Sequence, residues 1–361
     1  KLEEQSANSS IINVESQEGK IKIGVIELPT FYIDFEGLRS GDANYRSTTR
    51  DVAKLLMELS DKKIDGLVID LRDNGGGSLQ EANELTGLFI EYGPTVQIKH
   101  SSKRIWRDGK RKKGPYYQGP LLVMINRLSA SASEIFSGAI QDYGRGIIVG
   151  DRSFGKGTVQ TLIPLAAGQL KITESKFYRV SGASTQDRGV VPDIIFPSIY
   201  NSEEIGESAL DYALEWDQIN PAQHRSYGNF SEVMPYIRLR SAERTKRDPD
   251  FTSLRERVIF SDENRTNKQL SLNESDRKVI RSEREARALR IENKRRNNKG
   301  LELINTIDQL NESENTEVRE DENLNILLHE AGNILTDLII FPKRISSQTT
   351  QSKLILQNDA I

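Results

Sequence analysis

Cysteine is absent from the 361 residues of this chain, and histidine occurs only as His100, His224 and His329. The first absence excludes a disulfide framework, a thiolate metal site and a cysteine nucleophile. The second argues against a histidine-based triad, because each histidine stands apart from the glycine and serine motifs described below and no G-x-S-x-G elbow is present. No residue cluster has metal-ligand spacing. There is no run of eighteen apolar residues to span a membrane, and no stretch resembles a signal peptide. Excess positive charge is missing too: a net charge of -3 and a pI near 5.9 leave no global basic footprint for nucleic acid. What is present, 36% hydrophobic and 29% charged residues, suffices for one large core and an additional region.

The chemistry concentrates in residues 126 to 160. Ser129, Ser131 and Ser133 lie in a small-residue run that leads into a helical pattern, with Ile135, Phe136, Ala139, Ile140 and Tyr143 on one face. The helix is expected to stop at Gly144 and Gly146, a strand to cover Ile147 to Val149, and a tight loop to return Lys156 between Gly155 and Gly157. Taken singly, Ser131 reads as a helix cap and Lys156 as a solvated surface lysine. Together they suit a dyad in which a neutral lysine takes the serine proton. A lysine with a reference pKa near ~10.4 needs apolar surroundings to be neutral at pH 7. Phe154, Val159 and the Ile147 to Val149 strand are candidates for that dry wall, and Gln160, four residues after Lys156, is placed to orient the amine. The helix start after Ser131 offers the backbone N–H of Ala132 to an oxyanion. A second donor is expected from residues 66 to 79, where an apolar strand ending at Leu71 meets Arg72, Asp73, Asn74 and three glycines. There Gly77, with Gly76 as the near alternative, completes the oxyanion hole.

The blocks DLRDNGGG, SASASE and FGKGTVQ, in this order and with 25 positions from Ser131 to Lys156, resemble the tail-specific, or C-terminal processing, serine proteases of the Gram-negative periplasmic type. The resemblance continues through residues 176 to 197 and more weakly beyond. It implies Ser131 as nucleophile, Lys156 as general base, Gln160 as the residue positioning the lysine, and Gly77 and Ala132 as oxyanion donors. Asp142 matches an acidic family position, assigned here to structure, as a salt bridge with Arg145 or a helix stop. The resemblance further implies protein or peptide substrates with apolar or unstructured C-terminal tails, no cofactor, no metal and a periplasmic location. An adaptor protein and a peripheral membrane association are compatible with it. A substrate strand is expected to add along residues 170 to 180.

The expected fold class is α/β: a crotonase-like βαβ spiral protease core followed by a mostly α-helical C-terminal region. Residues 1 to 19 read as a linker at the end of an N-terminal region, 20 to 200 as the core, 201 to 342 as the helical region and 343 to 361 as a flexible tail. Within the core, residues 21 to 28 read as a strand, Phe31 to Phe35 as an extension of the sheet, and Val52, Leu55, Leu56 and Leu59 as a helical face. Residues 103 to 117 read as a basic hairpin turning at Asp108 and Gly109. Helices are expected over Glu204 to Asp217, over Pro235 to Lys246, and from a capping box at Ser271 and Glu274 through Arg295. In that last helix Arg281, Arg284, Arg287 and Arg290 are interleaved with Glu283, Glu285 and Glu292, a pattern of i,i+4 pairing rather than a nucleic-acid stripe. Leu324 to Leu338 carry an apolar helical face for packing.

Two other motifs fall away. GDRSFGKG resembles a phosphate-binding loop with Gly157 where Ser or Thr should stand, but TVQTLIPL alternates like a strand, whereas such a loop opens into a helix. SDKK and SDRK, at 60 to 63 and 275 to 278, match S-x-x-K in charged segments with no companion K-T-G.

Overall fold

The computed structural model describes residues 5–100, 105–107, 117–266, 269–312 and 326–341. Where a linker was expected, β1 (Asn8–Ser16) pairs antiparallel with β2 (Gly19–Glu27), burying Ile12 and Val14. Only three large apolar residues stand in β1, so its signal is faint; the tight turn, closed by the Ser16 hydroxyl donating to the Gly19 carbonyl at 2.6 Å, fixes it against β2. Phe31 and Ile33 make single bridges to Gly77 and Ser47, and the chain then enters α1 (Phe35–Ser40) instead of prolonging the sheet. The Asp34 carboxylate, accepting from the amides of Glu36 and Gly37, provides the start signal.

Next come α2 (Thr48–Asp61), which buries Val52, Leu56 and Leu59, and β3 (Gly66–Asp70), buried throughout. They are followed by α3 (Leu79–Thr86), capped by Ser78, then β4 (Gln97–His100) and β5 (Ile105–Arg107). Of the basic hairpin, residues 108 to 116, with the turn at Asp108 and Gly109, lie outside the described residues. The core continues with β6 (Leu121–Ile125), α4 (Ala132–Asp142), β7 (Ile147–Gly150), β8 (Thr158–Pro164), β9 (Gln169–Tyr178) and β10 (Ile194–Ile195).

One sheet has the order β1-β2-β3-β6-β7-β10, parallel from β2 onward. Its central strands are buried on both faces, as parallel strands covered by crossover helices must be, and this is the α/β winding the sequence pattern predicted. Phe136 of α4 packs edge-on against Phe89 at 5.7 Å and against Phe31 at 6.4 Å, fixing the helix over the sheet. The second sheet, β5-β4-β9-β8, is antiparallel, and its β8–β9 hairpin is largely exposed.

The chain divides into two units. One holds Lys1–Phe196, Ser202–Ile237 and Ala331–Ile361, the other Pro197–Asn201 and Arg238–Glu330. Glu204 to Asp217 does not form the expected helix: only a single 3-10 turn appears, at Glu207–Ala209. Its backbone groups have long-range partners instead, with the Arg127 guanidinium donating to the Ile205 carbonyl and the Glu207 amide to the Phe154 carbonyl.

Helices resume at α5 (Met234–Arg247), α6 (Pro249–Thr266) and α7 (Glu274–Lys299). The cap of α7 is Asn273, whose side chain accepts from the Ser275 amide; Ser271 stands two residues too early and bonds Asp276 instead. Expected i,i+4 pairing is found between Arg281 and Glu285 at 2.7 Å. Residues 326 to 341 are helical; Leu328, Ala331 and Leu335 are buried, and Leu335 lies directly over Gly66. Leu324 and residues 343 to 361 lie outside the described residues.

Candidate active site

Three serines precede or open α4, and their surroundings separate them. The Ser129 hydroxyl donates to the Leu71 carbonyl at 2.7 Å and the Ser133 hydroxyl to the Asn74 carbonyl at 2.9 Å, both fully buried. Ser129 and Ser133 therefore lock the turn onto the loop after β3. Ser131 is half-buried at the N-terminus of α4 with φ 57° and ψ -110°, a backbone state that L-residues adopt only when their surroundings hold them there.

The holder is Glu134, a residue that the sequence reasoning passed over. Its carboxylate is fully buried in the first turn of α4 and accepts four hydrogen bonds. Oε2 takes the amides of Ser131 at 2.7 Å and Lys156 at 2.9 Å; Oε1 takes the Ser153 hydroxyl at 2.6 Å and the Gly155 amide at 2.7 Å. Burial pushes this carboxyl up to about 7, against the pull of its four donors. The Ser131-x-x-Glu134 spacing is that of a capping box and was the available signal. The three partners in the 153 to 156 loop, however, have no local signature.

The triple-glycine loop meets the serine turn. Phe31 bridges it through its amide to the Gly76 carbonyl at 2.9 Å and its carbonyl from the Ser78 amide at 2.8 Å, which turns the Gly77 peptide N–H away from Phe31. The Gly76 amide donates to the Asn74 side chain at 2.9 Å, so Gly76 is not free to donate elsewhere. Gly76 nevertheless touches the site: a methyl there would lie 2.9 Å from Ser131 Cβ and 3.1 Å from the Ala132 nitrogen. Among the described residues, the amides of Gly77 and Ala132 have no protein acceptor.

Lys156 is half-buried and Gln160 exposed, at a bulge between Val159 and Gln160 in β8. Among the described residues, no hydrogen bond joins Lys156 to Ser131 or to Gln160; the main chains of Ser131 and Lys156 are what the fold brings together. The P-loop reading is excluded by β8 itself, a strand where a helix would be needed. Asp142 ends α4 and pairs with Arg179 at 2.5 Å while accepting the Ser181 amide at 3.0 Å. The expected partner, Arg145, instead donates to the carbonyls of Phe89 and Tyr117. His224 packs edge-on against Tyr143 with its ring nitrogens against the Ala222 and Asp142 carbonyls. Strand addition along residues 170 to 180 meets an obstacle at Ser175 to Tyr178, which already have β4 on that side; the edge strands of this sheet among the described residues are β5 and β8. No described helix is long and apolar enough to cross a membrane, and no described cluster of acidic or histidine side chains could hold a metal.

Residues 22–196 match the model of peptidase family S41, and residues 200–340 match the C-terminal domain of tail specific protease. The chain is 40% identical over 353 residues to the tail-specific protease of Haemophilus influenzae, covering 94% of this chain and 47% of that protein. To the carboxy-terminal-processing protease of Bartonella bacilliformis it is 41% identical over 156 residues, 41% of this chain and 36% of the relative. Among solved structures, the photosystem II D1 C-terminal processing protease is 28% identical, with a TM-score of 0.45 over 54% of this chain and 50% of that one. The chain belongs to the tail-specific proteases of peptidase family S41. It spans about half the length, or less, of these curated relatives.

Proposed function

We propose that this chain carries the catalytic part of a serine-type endopeptidase that cleaves proteins with apolar or unstructured C-terminal tails. Ser131 Oγ attacks the peptide carbonyl carbon as the Lys156 amine takes its proton. The oxyanion forms against the amides of Ala132 and Gly77, the peptide C–N bond breaks, and Lys156 returns the proton to the departing amine. Water, deprotonated by Lys156, then attacks the acyl carbon, the ester bond to Ser131 Oγ breaks, and Lys156 returns the proton to Oγ. Gln160 orients the lysine once an extended substrate draws β8 towards the serine turn. Asp142 acts through Arg179, tying the end of α4 to the end of β9. The periplasm is the compartment the family implies, with an adaptor as a further partner.

One observation carries this reading: a single buried carboxylate binds the amides of both Ser131 and Lys156, while, among the described residues, the amides of Ala132 and Gly77 have no protein acceptor. The test is mass spectrometry of an unfolded protein with an apolar C-terminus after incubation with the parent, Ser131→Ala and Lys156→Ala. Cleavage by the parent that disappears in both variants is the expected result; cleavage by Lys156→Ala at the parental rate refutes the dyad.

A further inference from the structure

Glu134 has no part in the bond-making steps above, yet it is the most heavily engaged acidic side chain at the site. A capping box uses one carboxylate oxygen on one amide of its own helix. Glu134 does this with the Ser131 amide and has three further donors that belong to the loop carrying Lys156. That loop is itself anchored: the Arg127 guanidinium, with 1% of its surface exposed, donates to the Ser153 carbonyl at 2.7 Å, and the Ser153 hydroxyl accepts from the Val190 amide at 2.6 Å. Burying a carboxylate this completely is unfavourable, and four donors on two oxygens offset part of that cost.

What the carboxylate controls follows from which atoms it binds. One oxygen, Oε2, receives the amide of the residue before the Ala132 oxyanion donor and the amide of the lysine, so a shift of that oxygen moves both together. The Ser131 backbone, at φ 57°, stands in a strained state that persists only where neighbours over-determine it. The Glu134 amide completes the ring by donating to the Ser131 carbonyl at 2.9 Å.

We infer that Glu134 is a positioning residue that holds the nucleophile turn and the lysine loop in register through one shared carboxylate. This inference rests on the Ser131 and Lys156 roles proposed above. It assigns Glu134 no contact with substrate. Its effect is on geometry at the reacting atoms, so it is expected in kcat and in the reactivity of the serine, with KM for tail binding left nearly unchanged.

Glu134→Gln is the discriminating substitution, because glutamine has the same shape but replaces one acceptor oxygen by a donor –NH2. Whichever way the amide is turned, its –NH2 faces a backbone N–H, either those of Ser131 and Lys156 or that of Gly155. The experiment compares parent, Glu134→Gln, Ser131→Ala and Lys156→Ala for cleavage kinetics, for the labelling rate by a serine-directed fluorophosphonate, and for thermal melting. A folded Glu134→Gln with kcat and labelling lowered at least ~10-fold and KM within ~2-fold supports the inference. A folded Glu134→Gln with parental kcat and labelling overturns it, while loss of cleavage in Ser131→Ala and Lys156→Ala in the same experiment leaves the dyad intact. If those two variants cleave normally, it is the dyad that fails. Should Glu134→Gln not fold, Ser153→Ala removes one donor from Oε1 and leaves the carboxylate in place; a severalfold fall in kcat at constant KM supports the inference, and parental kinetics overturn it.

Discussion

Alanine substitutions along the triple-glycine loop should fall into a steep order, because the three positions meet different surroundings. At Gly75 an added Cβ meets nothing within 4 Å, and the backbone is in a state any residue adopts. At Gly77, φ is 140° and the new methyl would lie 2.2 Å from the Phe31 carbonyl oxygen and 2.8 Å from its carbon, both backbone atoms that no side-chain rotation can move away. Forcing an L-residue into that state costs about 1 to 3 kcal/mol. Displacing Phe31 from its two bridge hydrogen bonds adds about 1 kcal/mol for each. Gly77→Ala should therefore lose about 3 to 5 kcal/mol of stability, and Gly75→Ala less than about 0.5 kcal/mol. Shifting the Gly77 amide also removes an oxyanion donor, for a fall in kcat of about 10²- to 10³-fold per folded molecule. Gly76→Ala, with φ 103° and a methyl that would lie 2.8 Å from the Ala130 carbonyl oxygen and 2.9 Å from Ser131 Cβ, should also lose about 1 to 3 kcal/mol of stability and, by crowding the serine turn, should lower activity as well. Urea titration gives the stabilities, and cleavage rates normalised to folded protein give the activities. A Gly77→Ala protein as stable and active as the parent, or a Gly75→Ala protein as damaged as Gly77→Ala, would refute the reasoning.

Two further outcomes are expected. Glu134 has a folded value of about 7 against an ordinary 4.5, so the folded protein binds its proton more tightly than the unfolded chain does. Its contribution is destabilising above pH 7 and is relieved as pH falls from about 7 to below 4.5; relative to Glu134→Gln, the parent should gain up to about 3 kcal/mol over that window, and a stability difference that stays constant between pH 8 and pH 4.5 would contradict this. Asp142→Ala leaves the Arg179 cation with its carboxylate removed in a largely buried pair, which should cost about 3 to 5 kcal/mol in denaturant titration. A double variant with Arg179→Met should recover part of that loss.

The elements that carry chemistry were legible because each has a strong local cause. Ile147 to Val149 is a short apolar run between glycines, Leu79, Ala82 and Leu85 have helical spacing, and Thr158 to Leu165 alternates. The misses share the opposite property. Glu204 to Asp217 has residues that suit a helix, but tertiary bonds to Arg127 and Phe154 captured its backbone. Ile12 and Val14 became strand residues only because β2 lay beside them. Asp142 was expected to pair with Arg145, but its partner Arg179 is 37 positions away, where no helix-spacing argument reaches.

By itself, then, the sequence determined which stretches are strands, helices and tight turns around the three glycine and serine blocks, since spacing and caps act within a few residues. It also excluded cysteine chemistry outright. Only the tertiary structure decided which serine, among the described residues, stands free of a carbonyl partner, that the Gly76 amide is taken by the Asn74 side chain, and that Glu134 joins the serine turn to the lysine loop. The first and last of these depend on hydrogen bonds between segments 20 to 60 residues apart, and a buried donor or acceptor takes whichever partner the packed core brings within reach.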